Sequence, residues 1–247
     1  MKGVRDILKR IAAVAGGVLL AFGMWSCEST GDEWKDMPDS YRVDYGEVVM
    51  VRSAGRNECL IRRDDNLILR VQRNLVENAV VDHGDRVLVN YFIMGDMTAD
   101  LPELGEIRGG YDIQLNNLIR IPCQDVELRN EITDTEYGSM SFDPLVVTHI
   151  NVGSHHIDMA IDYYRSASVE HEFGLLCERS DENGDLTLRV VHDAGMDGET
   201  VVGSLVKDYR ISFDVSKLLT DKSQAVRIVW VEYGNRPKET LVILPAA

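Results

Sequence analysis

Arg86-Val87-Leu88-Val89-Asn90-Tyr91-Phe92-Ile93-Met94 decides the fold class. Val87, Val89, Tyr91 and Ile93 share one face of an extended chain, because successive side chains of a strand point to opposite sides. Residues 112–121 repeat the pattern. Ile113, Leu115, Asn117, Ile119 and Ile121 fall on one face, with Asp112, Gln114, Asn116 and Arg120 opposite. Two such strands predict an antiparallel sheet with one solvated side. The stretch between them, 95–110, contains glycines and a proline and reads as a long surface loop.

Working upstream, 47–52 and 58–63 are short apolar runs, and 67–71 alternates behind the turn residues Asp64-Asp65-Asn66. Residues 74–81 form a less regular connector with room for one helical turn. Five short strands without strong helices predict a small barrel. Downstream, 122–144 is charged and without periodicity, so the domain boundary falls inside it. Strands resume at 145–150, 154–164, 170–179, 186–192, 210–215, 225–233 and 240–244, with one helical turn at 216–219. Asn183-Gly184, within 181–185, favours a tight hairpin turn. That spacing predicts an Ig-like antiparallel β-sandwich, and the whole chain is expected to be all-β.

The N-terminus is of another kind. Lys2, Arg5, Lys9 and Arg10 precede an uncharged apolar run, 11–25, and Ser26 stands before Cys27. This is the layout of an export signal with a lipid-attachment cysteine, and the apolar run is short of the roughly 20 residues that cross a bilayer. The expected organisation is a signal at 1–26, a flexible acidic tether at 27–43, a barrel domain at 44–124 and a sandwich domain at 140–247. Cys27 carries the lipid, and the membrane is reached through that anchor. Removing four basic residues and Asp6 with the signal moves the formal charge from −15 to −18. An acidic body repels phosphate backbones, which excludes nucleic acid as a partner.

Three further cysteines remain at scattered spacing: Cys59, Cys123 and Cys177. Each sits beside apolar neighbours and reads as a buried free thiol, although a Cys59–Cys123 bridge is sterically possible in an exported chain. His155, His156, Asp158 and Asp162 attract attention as metal ligands. On a strand only His156, Asp158 and Asp162 share a face, and no second cluster lies at ligand spacing, so a sheet with a polar outer face is the expectation. His171 and His192 are in phase with apolar residues and read as packed, hydrogen-bonded histidines. Asp181 to Asp185 lacks the closing glutamate of a calcium loop, and no nucleophile elbow or zinc-protease motif is present. No catalytic residue, metal or cofactor is expected.

Several blocks of this chain resemble the NigD-like lipoproteins of Bacteroidetes. They are Tyr45-Gly46-Glu47-Val48-Val49, Asp82-His83-Gly84-Asp85-Arg86-Val87-Leu88-Val89-Asn90-Tyr91, Tyr111-Asp112-Ile113-Gln114-Leu115-Asn116, the strand that contains His171, Leu188-Arg189-Val190-Val191-His192-Asp193 and Arg210-Ile211-Ser212-Phe213-Asp214-Val215-Ser216. The resemblance implies an OB-like barrel followed by a β-sandwich. The signal and anchor place the expected chain in the cell envelope as an outer-membrane lipoprotein, with the surface and the periplasmic face both left open, and the resemblance implies no particular reaction. The expected function is a non-enzymatic binding module for a protein or a glycan. Alternatives are a bacteriocin-immunity lipoprotein and, resting only on the many carboxylates, an envelope hydrolase. Neither the ligand nor the oligomeric state is legible in the sequence.

Overall fold

The structure is a computed structural model that describes residues 41–53, 56–77, 80–97, 104, 107–167, 169–179, 186–197 and 203–247. The signal, Cys27, most of the tether and the 181–185 turn lie outside the described residues. Strands β1 (Tyr41–Ser53), β2 (Arg56–Arg63), β3 (Leu67–Asn74), β4 (Arg86–Asp96) and β5 (Gly109–Arg120) close into a barrel in the order β1-β2-β3-β5-β4. The β3–β5 pair is parallel and the others are antiparallel, the OB-like arrangement expected. Val48, Ile61, Leu69, Val87, Val89 and Tyr91 fill the interior, as the alternation of β4 requires. The tether ends earlier than expected: β1 already starts at Tyr41, which pairs with Phe92.

Two expectations fail within the barrel for identifiable reasons. Tyr91 pairs with Leu115 but Asn90 pairs with Asn117, so Asn116 is an extra residue that bulges β5. One added residue reverses the alternation beyond it. Asn117 is therefore exposed, Leu118 packs against the core, and Ile119 is 43% exposed. The connector at 74–81 forms no helical turn in its described part; Asn74 Oδ1 accepts from the Val76 amide, and Leu75 N donates to Leu115 O.

The remaining strands form two sheets packed face to face. One has the order β14-β13-β11-β10-β7 and the other β6-β12-β9-β8. They comprise β6 (Cys123–Asp125), β7 (Glu127–Leu128), β8 (Val146–Val152), β9 (His156–Arg165), β10 (Glu172–Arg179), β11 (Leu186–Asp193), β12 (Ser204–Asp214), β13 (Gln224–Glu232) and β14 (Arg236–Leu244). Ile157, Met159, Ile161, Leu188, Phe213 and Ile228 lie between the sheets and are at most 1% exposed.

The stretch expected to hold the boundary contributes to the sandwich. Ile121 N donates to Arg86 O in the barrel, and Ser212 N already donates to Pro122 O, so one proline separates the two modules. A short helix, α1 (Asp134–Ser139), follows β7. Thr133 and Glu136 form its capping box, a spacing readable in the sequence that the periodicity argument passed over. β12 begins six residues early because a register shift between Val206 and Tyr209 breaks its alternation, with Asp208 at φ 54°. A 3-10 turn at Ser216–Leu218 agrees with the expected turn. Cys177 is buried as expected and Cys59 is half-buried. Cys123 is exposed, because β6 is an edge strand, and it is not bridged to Cys59.

Candidate functional site

The densest polar arrangement lies where the barrel meets the sandwich. Arg86 opens β4 on the outer face of the barrel, in register with Glu47 of β1. Its Nε lies 2.9 Å from Asp158 Oδ1, and its Nη2 lies 2.6 Å from Asp158 Oδ2 on β9. A second carboxylate, Asp64 from the β2–β3 turn, takes Nη1 at 2.6 Å and Nη2 at 2.8 Å. Asn151 Nδ2 on β8 adds a hydrogen bond to Asp158 Oδ2 at 2.9 Å. The Arg86 and Asp158 side chains are each 1% exposed. Burial disfavours the guanidinium charge, but the bonds to Asp64 and Asp158 outweigh it and raise the Arg86 pKa. Two planar carboxylates around one planar fork fix both distance and angle between the modules.

Other contacts flank this clamp. Arg210 Nη1 on β12 donates to Tyr45 Oη of β1 at 2.7 Å, while Asp208 holds its Nη2 at 2.9 Å. Burial raises the Tyr45 pKa. His155 Nε2 lies 3.7 Å from Glu47 Oε2, and its Nδ1 is 2.8 Å from Ser154 Oγ. That pairing raises the His155 pKa and lowers that of Glu47. The His156 ring lies tilted against that of His155, with centroids 4.3 Å apart, and burial followed by the nearby Arg86 lowers its pKa. Among the described residues its Nδ1 finds no hydrogen-bond partner. Gly153 completes the seam, since a Cβ there would overlap the Asp64 carboxylate.

A second cluster ties loops at one end of the sandwich. His192 Nδ1 is 3.1 Å from Asp143 O, His192 Nε2 is 3.0 Å from His171 Nδ1, and His171 Nε2 is 3.0 Å from Asp197 Oδ2. A carbonyl and a carboxylate at the two ends can only accept. Three bonds between those ends need three ring protons, so the row is satisfied when one of the two imidazoles carries both of its protons. Asp197 also accepts from Ser166 N at 2.8 Å and Ser166 Oγ at 2.7 Å. Bonds from Ser166 and His171 bring the Asp197 pKa down to about 2. Burial lowers that of His192.

Of the residues singled out in the sequence, His156 and Asp158 come together at the seam and His155 lies beside them. Asp162 is elsewhere, its Oδ1 accepting from Asp208 N at 2.8 Å. The expected solvated face of β9 is covered instead: His156 is 6% and Asp158 1% exposed, because the barrel docks there. Among the described residues no group of three His, Cys, Asp or Glu is arranged to hold a metal ion. His171 and His192 are packed and hydrogen-bonded as expected. Sequence reasoning missed Tyr45, Asp64, Arg86 and Arg210 at the seam. His156 and Asp158 gave a signal, as polar residues alternating with Ile157 and Met159.

An open cleft of about 510 Å³ borders the seam, lined by Asp64, Asp65, Gly153, Ser154, Ile243 and Pro245 among others. Its carboxylates are already engaged, Asp64 by Arg86 and Asp65 by Arg63 at 3.0 Å. Among the described residues no helix is long and apolar enough to cross a membrane.

No family model matches the chain, and no curated protein matches it. Solved structures do match. A protein of unknown function from Bacteroides vulgatus aligns with TM-score 0.63 at 13% identity, over 83% of this chain and 92% of that one. A NigD-like immunity protein from Bacteroides caccae aligns with TM-score 0.54 at 16% identity, over 81% of this chain and 91% of that one. A protein provisionally described as a lipoprotein from Bacteroides fragilis gives TM-score 0.51 at 13% identity, over 83% and 99%. At these identities the likeness is one of fold, and it agrees with the architecture that the NigD-like resemblance implied.

Proposed function

We propose that this chain is a NigD-like envelope lipoprotein, anchored through Cys27, that binds a protein or a glycan without catalysing a reaction. The observation that carries the reading is how the ionisable groups are employed. Arg86, Asp64 and Asp158 close on one another across the seam, and Asp197, His171 and His192 close on one another between loops. Groups so engaged hold two modules in one arrangement and have little capacity left for proton transfer. The fold shared with the Bacteroides fragilis protein supports the lipoprotein part. The charge of −15 argues against nucleic acid.

Intact-mass analysis of the protein from native membranes, with proteolysis of whole cells, tests anchor and exposure together. The expected result is a lipid-modified Cys27 at the N-terminus and a body cut from outside; an unmodified chain retaining Met24-Trp25 overturns the anchor. Incubation with envelope polysaccharide separates binding from hydrolysis. No new reducing ends are expected, and their appearance in a carboxylate-dependent manner overturns the non-enzymatic reading.

The fold shared with the immunity protein of Bacteroides caccae favours a second reading, protection against a bacteriocin. Deleting the gene should then sensitise the cell to bacteriocins of neighbouring strains. Unchanged sensitivity overturns it.

A further inference from the structure

We propose that the outer barrel face formed by β1, β4 and β5 is a binding site for a neutral oligosaccharide, an inference that rests on the binding-module reading above. In OB barrels, oligomeric ligands lie over the strand 2–3 face between the β1–β2 and β4–β5 loops. Here that face is filled by the chain itself. Val49, Val51, Leu60 and Ile68 form an apolar patch that carries Met97, Leu104 and Ile107, and Arg62 Nη2 donates to Leu104 O at 3.3 Å.

A different surface is built for contact around the barrel. Gln114 Nε2 donates to Asn116 Oδ1 at 2.8 Å, Asn116 Nδ2 donates to Asn90 Oδ1 at 3.3 Å, and Asn90 Nδ2 donates to Tyr41 Oη. The Tyr41 ring stands edge-to-face against Phe92 at 5.4 Å. All five are half-buried, so their neighbours orient them while their outer edges meet solvent. The bulge at Asn116 sets this row, placing an amide beside Asn90. Each amide uses only part of its donor and acceptor capacity inside the row.

Charge selects the ligand. The row contains no ionised side chain, and Asp112 at its end is neutralised by Arg70 at 2.6 and 2.8 Å with Gln72 at 3.3 Å. On a chain with formal charge −15, an uncharged strip favours neither a polyanion nor a polycation. Planar amides offer the paired donor and acceptor that vicinal hydroxyls match. Aromatic rings next to them cover the C–H side of a sugar ring.

The test is calorimetric titration of the purified full chain, in a zwitterionic detergent, with neutral glucose-, mannose- and galactose-based hexasaccharides and with a sulfated hexasaccharide. Binding of a neutral hexasaccharide is expected, with an affinity loss of about tenfold or more in Asn90→Ala and in Asn116→Ala and an unchanged thermal midpoint. Should either variant fold poorly, Gln114→Glu places a charge on the strip and should weaken binding by a similar factor. Absence of binding to every neutral hexasaccharide, or preference for the sulfated one, overturns the proposal. Binding by the wild type that none of the three variants weakens overturns the site while leaving the binding-module reading standing.

Discussion

Arg86 and Asp158 are 72 residues apart in sequence, yet both are 1% exposed and their closest N–O distance is 2.6 Å. The pair joins the first residue of β4 to the third residue of β9. Breaking it from one side leaves an uncompensated buried charge. Asp158→Ala should cost about 3–5 kcal/mol in urea denaturation. The double replacement Arg86→Met with Asp158→Leu should cost clearly less than the two single changes summed, because the one carboxylate that loses its partner, Asp64, is 22% exposed and keeps access to water. Additive effects would mean that the two residues do not interact energetically.

Gly153 stands against the outer carboxylate of the same cluster. A Cβ at this position overlaps Asp64, whose freedom to move is limited by Arg86. Gly153→Ala should therefore destabilise by about 1–3 kcal/mol. In an Asp64→Ala background most of that cost should disappear, and a denaturation cycle of the four proteins measures the difference. An equal cost in both backgrounds would place the strain elsewhere.

The sandwich cluster gives a pH dependence. Asp197 has a folded pKa of about 2, below its ordinary 3.8, so its contribution to stability is present above pH 3.8 and lost as pH falls through about 2. Asp197→Asn should lower the thermal midpoint above that window and match the wild type below it. His192 adds a separate loss on acidification. Burial lowers its pKa, so the unfolded chain takes the proton first, from its ordinary 6.5 downward. Asp197→Asn retains that second slope, which separates the two groups.

β4 was legible because a two-residue period needs only local residues, and the boundaries of most sandwich strands followed for the same reason. β5 was legible only to Leu115, since a bulge leaves no mark on composition. The seam was hidden more deeply. Arg86, Asp64 and Asp158 each look like solvent-facing residues within their own segments, and their burial results from docking one module on the other. His156 and Asp158 drew notice as polar residues among apolar ones, but the partner that explains Asp158 lies in another module. The loop cluster was legible as two packed histidines, without the Asp197 and Ser166 that complete it.

The thiols test the placement of the first sandwich strand. If 122–144 were a linker, Cys123 would be no more ordered than its neighbours; instead β6 pairs with β12, Cys123 opposite Ser212, at the edge of the sheet. An edge position leaves Cys123 exposed, while Cys59 is half-buried within the barrel and Cys177 is 6% exposed in the sandwich core. Access controls the labelling of a native thiol once its ionisation is comparable. Pulse labelling with a neutral maleimide, followed by peptide mass analysis, should therefore modify Cys123 first, Cys59 more slowly, and Cys177 only as the sandwich unfolds. Oxidation should leave Cys59 and Cys123 unlinked, because they belong to different modules. A Cys59–Cys123 disulfide in the native protein, or early labelling of Cys177, would contradict this assignment of strands.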